Sequence, residues 1–313
     1  MIAGAVTGIA LRLAYFAQPG HAFSVMAAGF IYFVPLAVGA ITVYVAETKR
    51  RRSWAYYFWM SALANVAFVI GTMLILIEGM ICAIVIAPLF AMIGGIGGLI
   101  MGAVCRMTHW PRHAAYGFSV LPLLLGVLPA QVSEIRHISL LERSTVVRAP
   151  AAAIWEQLLN ARAIEPEEVG DAWMYRIGVP LPVSGVTQQT SSELVRKITM
   201  GKSIHFEQVA TEWQENGYVR WTYRFFEDSF PPNALDDHVK IGGRYFDIID
   251  TSYRLIPAGP GSTELRISMR YRVSTQFNWY ADSVARLLVG NFEEVILNFY
   301  RVRAERAAAG GGT

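Results

Sequence analysis

One carboxylate in the second half of the chain is a candidate acid or base. Asp247 has the same strand alternation as Ile249 and Tyr253, so an unbroken strand would direct it to a buried face. A carboxyl group buried there would have a raised pKa and could transfer protons. The alternative, which we favour, is a β-bulge beside Gly242 and Gly243 that turns Asp247 to solvent.

Two amides are candidates for binding a polar headgroup. Asn291 and Asn298 are seven residues apart on the apolar face of a predicted C-terminal helix, so both should point inward with that face. A buried amide needs hydrogen-bond partners, and a ligand could supply them. The alternative, which we favour, is that both amides bond to protein backbone or lie at the edge of the sheet.

Other patterns of catalytic or metal-binding residues are missing from the sequence. His205 has the opposite alternation to Phe206, and His238 lies in a predicted loop, with no Cys, second His or acid at metal-ligand spacing to either. No Gly-x-Ser-x-Gly segment occurs, and no serine has a histidine and an acid at interpretable positions. The sequence therefore predicts no catalytic residue, no metal and no cofactor.

Antiparallel strands must position these groups, because the hydrophobic period is two from residue 193 onward. Apolar and polar side chains alternate over residues 219–225 and 264–273, which is typical of strands with one buried face. A ligand cavity and an ordinary filled core both remain open for that face. With Asn291 and Asn298, the predicted ligand-binding residues are Phe206, Trp221, Tyr223, Phe225, Ile249, Tyr253, Ile267, Met269 and Tyr271.

The order of the predicted strands and helices indicates the fold of the C-terminal domain. A strand at residues 139–149 leads through Pro150 into a short helix at 151–160, antiparallel strands follow, and a helix at 278–306 ends the pattern. That last helix has a wide apolar sector and must lie against a large apolar surface, for which the sheet is available. The prediction is an α+β domain with a curved antiparallel sheet around a long C-terminal helix.

This order resembles the START-like helix-grip superfamily (SRPBCC), which includes polyketide cyclases/dehydrases and lipid-transport proteins. The residues that carry the resemblance are the strand-to-helix passage 145–155 and the helix 278–306. The resemblance implies a sheet gripping the helix and a cavity for an apolar ligand such as a lipid, sterol, quinone or polyketide. A fold alone does not identify that ligand.

The first part of the chain has the composition of a membrane region. Residues 1–130 contain seven Lys or Arg and two Asp or Glu, out of 27 and 24 in the whole chain. A span needs about 20 apolar residues. Three segments are long enough, and residues 2–17 and 114–130 are shorter candidates, which predicts an all-α bundle of four to five spans. The three long segments are 24–46, 54–77 and 80–104.

The basic residues predict an orientation for these spans. Lys49 to Arg52 form a run in one short loop, and Arg106 and Arg112 lie in another, so both loops should be cytoplasmic. If residues 114–130 also cross, the C-terminal domain lies on the periplasmic side of a bacterial inner membrane. Gly94, Gly98 and Gly102 allow close helix approach, either to a second copy of the chain or, as we favour, to a neighbouring span.

The sequence thus predicts a transmembrane region at 1–130, a linker at 131–138, a helix-grip domain at 139–306 and a flexible tail at 307–313. We expect a membrane-anchored protein that binds or transfers a hydrophobic ligand, in first place a lipid, and that is not an enzyme. Two alternatives stay open: a membrane-bound enzyme of the polyketide cyclase/dehydrase type, and a ligand-sensing regulator. Nucleic acid is not an expected partner, because the second part of the chain has nearly balanced charge.

Overall fold

The computed structural model describes residues 1–16, 29–75, 79–108, 117, 136–189, 193–236 and 238–310. The chain divides into two compact units, which we call the helical unit and the grip domain. The helical unit comprises Met1–Ile135 and Thr275–Phe277, and the grip domain comprises Arg136–Ser274 and Asn278–Thr313.

The helical unit contains four α-helices in its described part: α1 (Ile2–Phe16), α2 (Val34–Glu47), α3 (Trp54–Leu74) and α4 (Met80–Met107). A π-helical turn, Gly29–Phe33, leads into α2. Three helices are long and apolar enough to cross a membrane: Gly29–Glu47, Trp54–Leu74 and Met80–Met107. They overlap the three long predicted segments. Helix α1 has only 15 residues, fewer than the roughly 20 that a span needs. Of the candidate at 114–130, all but residue 117 lies outside the described residues.

The glycines of α4 pack against helices of the same chain. A Cβ on Gly94 would strike the Asn65 amide of α3, and one on Gly102 would lie 2.3 Å from the Tyr57 ring. Gly98 is equally close to Ser61. All three glycines are buried in this packing. Of the two predicted roles, the structure shows the intrachain packing, and self-association through these glycines stays a prediction.

The grip domain contains one antiparallel sheet of eight strands, with the spatial order β1-β8-β7-β6-β5-β4-β3-β2. Strand β1 pairs along its whole length with β8, and β8 pairs with β7. The strands are β1 (His137–Val147), β2 (Asn160–Ala161), β3 (Pro182–Gln189), β4 (Leu194–Met200), β5 (His205–Gln214), β6 (Tyr218–Arg224), β7 (Phe246–Gly259) and β8 (Ser262–Val273).

Helices cover one face of this sheet. Three short helices, α5 (Ala151–Leu159), α6 (Pro166–Val169) and α7 (Trp173–Arg176), follow β1, and the 33-residue α8 (Asn278–Gly310) ends the domain. Helix α8 buries Val289, Ile296 and Tyr300 in one core with the inner face of the sheet. The structure therefore has the predicted helix-grip architecture, in which a curved antiparallel sheet holds a long C-terminal helix.

Two local features depart from the predicted pattern. Strand β3 lies partly in a segment, 165–185, whose prolines and glycines predict a loop. Strand β7 has a β-bulge between Ile248 and Asp250, which reverses the alternation of the residues before it. On the N-terminal side of the bulge, Phe246 and Ile248 pack against the core, whereas Asp247 and Ile249 do not.

Candidate ligand-binding site in the grip domain

The inner face of the sheet is the place where most of the predicted binding residues meet. Trp221, Tyr253, Ile267, Met269 and Tyr271 lie on β6, β7 and β8, and each is at most 5% exposed. They belong to one core cluster with α8. Antiparallel pairing puts Trp221 opposite Thr251, and Thr251 opposite Met269, so these side chains form a row across three strands.

Phe206, Tyr223 and Phe225 form a second, aromatic cluster on β5 and at the end of β6. The ring centroids of Phe206 and Phe225 are 5.5 Å apart, and Tyr223 stacks on Phe225 at 6.4 Å. The loop after β6 packs onto this cluster through Phe230, whose ring lies 5.5 Å from that of Phe225. Buried Ala234 and half-buried Leu235 of the same loop join it. The cluster is thus covered by the loop that follows it in sequence.

Three predicted residues do not join the inner wall. Ile249 is the bulge residue of β7 and belongs to neither cluster. Asn298 is exposed and accepts a hydrogen bond from Arg301 at 2.6 Å, so its predicted inward position is wrong. Asn291 is half-buried and accepts a hydrogen bond from the backbone N–H of Trp173 at 2.7 Å. Its partner is therefore protein backbone, as the favoured alternative predicts.

Asp247 has the environment of a partly solvated carboxylate. Its Oδ1 accepts a hydrogen bond from the Gly242 backbone at 2.9 Å, and its Oδ2 lies 3.9 Å from an Arg272 nitrogen. Burial raises its pKa, against the lowering effect of the Gly242 N–H and of Arg272. The bulge that reverses its alternation lies at Ile249, five or more residues from the predicted position beside Gly242 and Gly243. Asp247 binds a loop and an arginine, outside the two clusters of the inner wall.

The most unusual residue of the inner wall, Arg196, is not among the binding residues predicted from the sequence. Arg196 on β4 is only 5% exposed, and its Nη2 donates a hydrogen bond to the Tyr300 hydroxyl of α8 at 2.9 Å. Its Nε is buried without a hydrogen-bond partner in the described part of the chain. A signal for it exists, because Arg196 has the same alternation as Leu194 and Ile198, which marks it as inward.

Gly185 on the adjacent strand β3 makes room for this arginine. A Cβ at position 185 would lie 2.7 Å from both Nε and Nη2 of Arg196. Any larger residue would therefore displace the guanidinium group. The pair explains why a glycine stands in the middle of β3, where glycine weakens a strand.

Tyrosine hydroxyls surround the guanidinium group. The rings of Tyr253 and Tyr300 meet edge to face with centroids 5.7 Å apart, and the Tyr223 hydroxyl is 2.7 Å from that of Thr251. Burial raises the pKa of Tyr223 to about 12, and burial with the neighbouring Tyr300 raises the pKa of Tyr253 well above 10. The Tyr223 and Tyr253 hydroxyls are therefore neutral donors and acceptors at physiological pH.

Two more polar atoms of the inner wall are buried without a partner among the described residues. They are the indole Nε1 of Trp221 and the Oε1 of Gln208. Gln208 stands opposite both Arg196 and Tyr223 in the strand register, so the polar atoms of β4, β5 and β6 lie in one row. Buried polar atoms in proteins nearly always have a partner, so three exceptions on one wall indicate a polar patch that can bind something else.

Glu293 is a second buried charge-bearing group, on α8. Its side chain is fully buried. Neither carboxyl oxygen forms a hydrogen bond of normal distance and angle among the described residues, but the Met269 backbone N–H is close enough to lower the pKa of Glu293. Burial raises its pKa to about 8, against the effect of Arg143, whose Nε is 3.9 Å away. Arg143 binds the exposed Glu294 at 2.7 Å and lines a groove of about 510 Å³ between β1 and α8.

Solved structures similar to this domain exist, whereas no protein-family model and no curated protein sequence matches the chain. The aromatase/cyclase ZhuI from Streptomyces sp. R1128 is 14% identical over 56% of this chain and 100% of its own, with a TM-score of 0.37. A START superfamily protein from Mycobacterium smegmatis is 15% identical over 54% and 98%, with a TM-score of 0.34.

A truncated norcoclaurine synthase from Thalictrum flavum is also similar in structure. It is 11% identical over 52% of this chain and 95% of its own, with a TM-score of 0.28. Likeness at this level of identity concerns the fold and assigns no activity to the chain.

Proposed function

We propose that the grip domain binds a hydrophobic small molecule, a lipid, between its sheet and α8. The observation that carries this proposal is the patch of three buried, unpartnered polar atoms on an otherwise aromatic wall: Arg196 Nε, Gln208 Oε1 and Trp221 Nε1. Binding pockets for small molecules have this composition, with apolar walls and a few polar groups that fix orientation.

The helical unit supports a membrane location for the protein that binds this ligand. Three helices have the length and composition of membrane spans, and we propose that they anchor the chain in a bilayer. We further propose that the bilayer is a bacterial inner membrane, with the Lys49 to Arg52 loop on the cytoplasmic side and the grip domain on the periplasmic side.

The proposed mechanism is partition followed by release. Each Å² of apolar ligand surface that leaves water contributes about 25 cal/mol. A tethered binding domain meets membrane lipids at a high effective concentration, so a modest intrinsic affinity is sufficient for exchange.

Filling the inner wall of the full-length protein tests this function. Ala210 on β5 is buried opposite Trp221, so Ala210→Phe should occupy the space that a ligand tail needs. Glu212→Phe, at an exposed position on the same strand, is the control. We expect Ala210→Phe to abolish transfer of a fluorescent fatty acid between vesicles and to remove the lipids detected by native mass spectrometry, while Glu212→Phe retains both. A folded Ala210→Phe protein with full transfer, or a wild type that carries and transfers no lipid, contradicts the proposal.

A second candidate is an enzyme that acts on an apolar substrate, and Glu293 favours it. A carboxyl group with a pKa of about 8 is protonated at neutral pH and can serve as a general acid. Mass spectrometry of the molecules that copurify with wild type and with Glu293→Gln separates the two functions. Chemically different molecules in the two preparations indicate catalysis, and identical molecules indicate binding alone.

A further inference from the structure

The interior of the grip domain contains a fixed positive charge at Arg196. A guanidinium group remains protonated at any physiological pH. Burial lowers its pKa, but charge interactions with Tyr300 and Tyr253 and the hydrogen bond to Tyr300 raise it overall. Arg196 is therefore a cation on an apolar wall.

No acidic residue of the described chain compensates this charge. Asp250 on β7 bonds to Arg270, and it precedes the inward-facing Thr251, so it lies on the other face of the sheet. Glu207 on β5 pairs with Arg224, also outside. Arg196 itself forms no ion pair among the described residues, and its hydrogen-bond partner Tyr300 is a hydroxyl group.

Buried charges in proteins are paired, because an unpaired one loses its hydration without compensation. Two of the tyrosines beside Arg196 cannot serve as counterions, since burial keeps Tyr223 and Tyr253 protonated. Trp221 adds another buried donor without an acceptor. Of the three unpartnered atoms of the patch, Gln208 Oε1 is an acceptor, whereas Arg196 Nε and Trp221 Nε1 are donors and Arg196 carries a positive charge. The group that fits the two donors is an anionic acceptor.

We propose that the ligand of the grip domain is an amphiphile with a carboxylate headgroup, which pairs with Arg196. This inference rests on the proposed function, since it names the ligand class for the same site. Planar carboxylates are the usual partners of guanidinium groups, and such charge-assisted bonds are stronger than neutral ones.

The surroundings of Arg196 provide a path for the apolar tail. Ile198, two residues along β4 on the same face, pairs with Phe206, which begins the aromatic cluster. Tyr223 connects the two regions, because its hydroxyl belongs to the polar patch and its ring stacks in the cluster. A molecule with its head at Arg196 would place its tail at Phe206 and Phe225, in the position that Phe230 and Leu235 of the following loop occupy.

The test compares two probes that differ in the headgroup alone. The full-length protein in lipid nanodiscs is titrated with 11-(dansylamino)undecanoic acid and with its methyl ester, and saturable dansyl fluorescence is recorded. We expect wild type to bind the acid about tenfold to a hundredfold more tightly than the ester, the range for one charge-assisted hydrogen bond. Arg196→Gln should remove this preference, and Arg196→Lys should retain part of it.

The matched control is Arg220→Gln. Arg220 is half-buried on the outer face, pairs with Glu212 through Nη1 and, like Arg196, has a buried Nε without a hydrogen-bond partner among the described residues. This variant should bind both probes like wild type. A preference that survives Arg196→Gln, or equal wild-type affinity for acid and ester, overturns the carboxylate inference and leaves the proposed function intact. Absence of saturable binding of either probe overturns the proposed function. Displacement of the acid by decyl phosphate but not by decanoate would identify a phosphate headgroup and also overturn the inference.

Discussion

The helical unit and the grip domain differ in how completely they satisfy their buried polar groups. Among the described residues of the helical unit, Arg52 Nε and Asn65 Oδ1 lack a hydrogen-bond partner, fewer atoms than in the grip domain. In the helical unit, the Thr42 hydroxyl donates to the Val38 carbonyl at 2.8 Å, and the Ser61 hydroxyl donates to the Gly39 carbonyl at 3.1 Å. The Asn65 amide donates to the Ser61 carbonyl at 2.9 Å, and of these groups only its Oδ1 stays unpartnered. In the grip domain, Arg196, Trp221 and Glu293 all keep buried atoms without partners among the described residues.

Polar groups that bond to nearby backbone stabilise the helical unit, whereas we propose that the unpartnered groups of the grip domain bind a ligand. Apolar surroundings offer no water, so polar side chains of membrane helices return their hydrogen bonds to nearby backbone. In the helical unit, Thr42 bonds within its own helix α2, and the Ser61 hydroxyl of α3 donates to the Gly39 carbonyl of α2, which joins two helices. The grip domain leaves strong donors and an acid unsatisfied, at a cost in stability. Such a cost is expected where a site has to receive another molecule.

The largest predicted effect tests whether the close packing of helices stabilises the helical unit. Gly39→Ala should destabilise the helical unit strongly, because its Cβ would lie 2.0 Å from the Gly94 carbonyl oxygen. The new Cβ is fixed to the backbone of α2, and the carbonyl oxygen belongs to the backbone of α4. The two helices would therefore have to move apart. Overpacking of this kind costs about 1–3 kcal/mol or more. The measurement is the thermal unfolding midpoint of the protein in detergent, with intrinsic fluorescence as the readout.

Gly71→Ala is the control for this substitution. Its Cβ would meet only the end of the Ile9 side chain, at 2.8 Å, and that side chain can move. We expect a midpoint close to that of wild type. Equal loss of stability in both variants would mean that glycine content, and not the contact with Gly94, stabilises the unit.

A smaller effect, which depends on pH, tests the unsatisfied acid of the grip domain. The pKa of Glu293 is about 8 in the folded protein, above the ordinary value of 4.5. The folded state therefore holds this proton more tightly than the unfolded state, and raising the pH favours unfolding. Wild type should lose stability progressively from about pH 4.5 to pH 8. Glu293→Gln, which has the same shape and no charge, should lack this loss and be more stable than wild type at pH 8.

The groups that face Glu293 allow a matched control. Arg143 of β1 lies on one side of it, Glu142 raises its pKa from the same strand, and the Met269 backbone of β8 faces it. Glu294→Gln removes the exposed partner of Arg143 instead. This variant should keep the wild-type slope of unfolding midpoint against pH between pH 5 and pH 8. Parallel slopes for Glu293→Gln and wild type would contradict the raised pKa.

The fold could be predicted from the sequence because its signals are local and repeated. The alternation over residues 219–225 and 264–273 corresponds to β6 and β8, and the predicted helix at 278–306 lies within α8. Each of these elements depends on many side chains, so no single residue decides it. The short strand β2 and the glycine-containing β3 have no such run and were outside the prediction.

Single residues of the site were harder to predict, for two physical reasons. One bulge at Ile249 reverses a strand, so Asp247 and Ile249 leave the face that alternation assigns to them. The second reason is that Arg196 and Glu293 are charged, and charged residues are almost never fully buried unless paired. Their inward positions follow the alternation of β4 and the stripe of α8. Hydrophobic patterning does not detect such residues.

The smallest effect concerns the two asparagines of α8, which the sequence treats as equivalent. Asn291 accepts a hydrogen bond from the Trp173 backbone N–H at 2.7 Å, at the start of α7, whereas Asn298 is exposed and bonds only to Arg301 of its own helix. Asn291→Ala should therefore cost about 1 kcal/mol, the usual loss for one such bond. Asn298→Ala should change stability by less than about 0.5 kcal/mol. Chemical denaturation of the two variants, read by far-ultraviolet circular dichroism, measures both values. If the two losses were equal, Asn291 would be as dispensable as a surface residue, and the contact between α7 and α8 would have to rest on the Tyr175 and Phe292 rings, whose centroids are 6.3 Å apart.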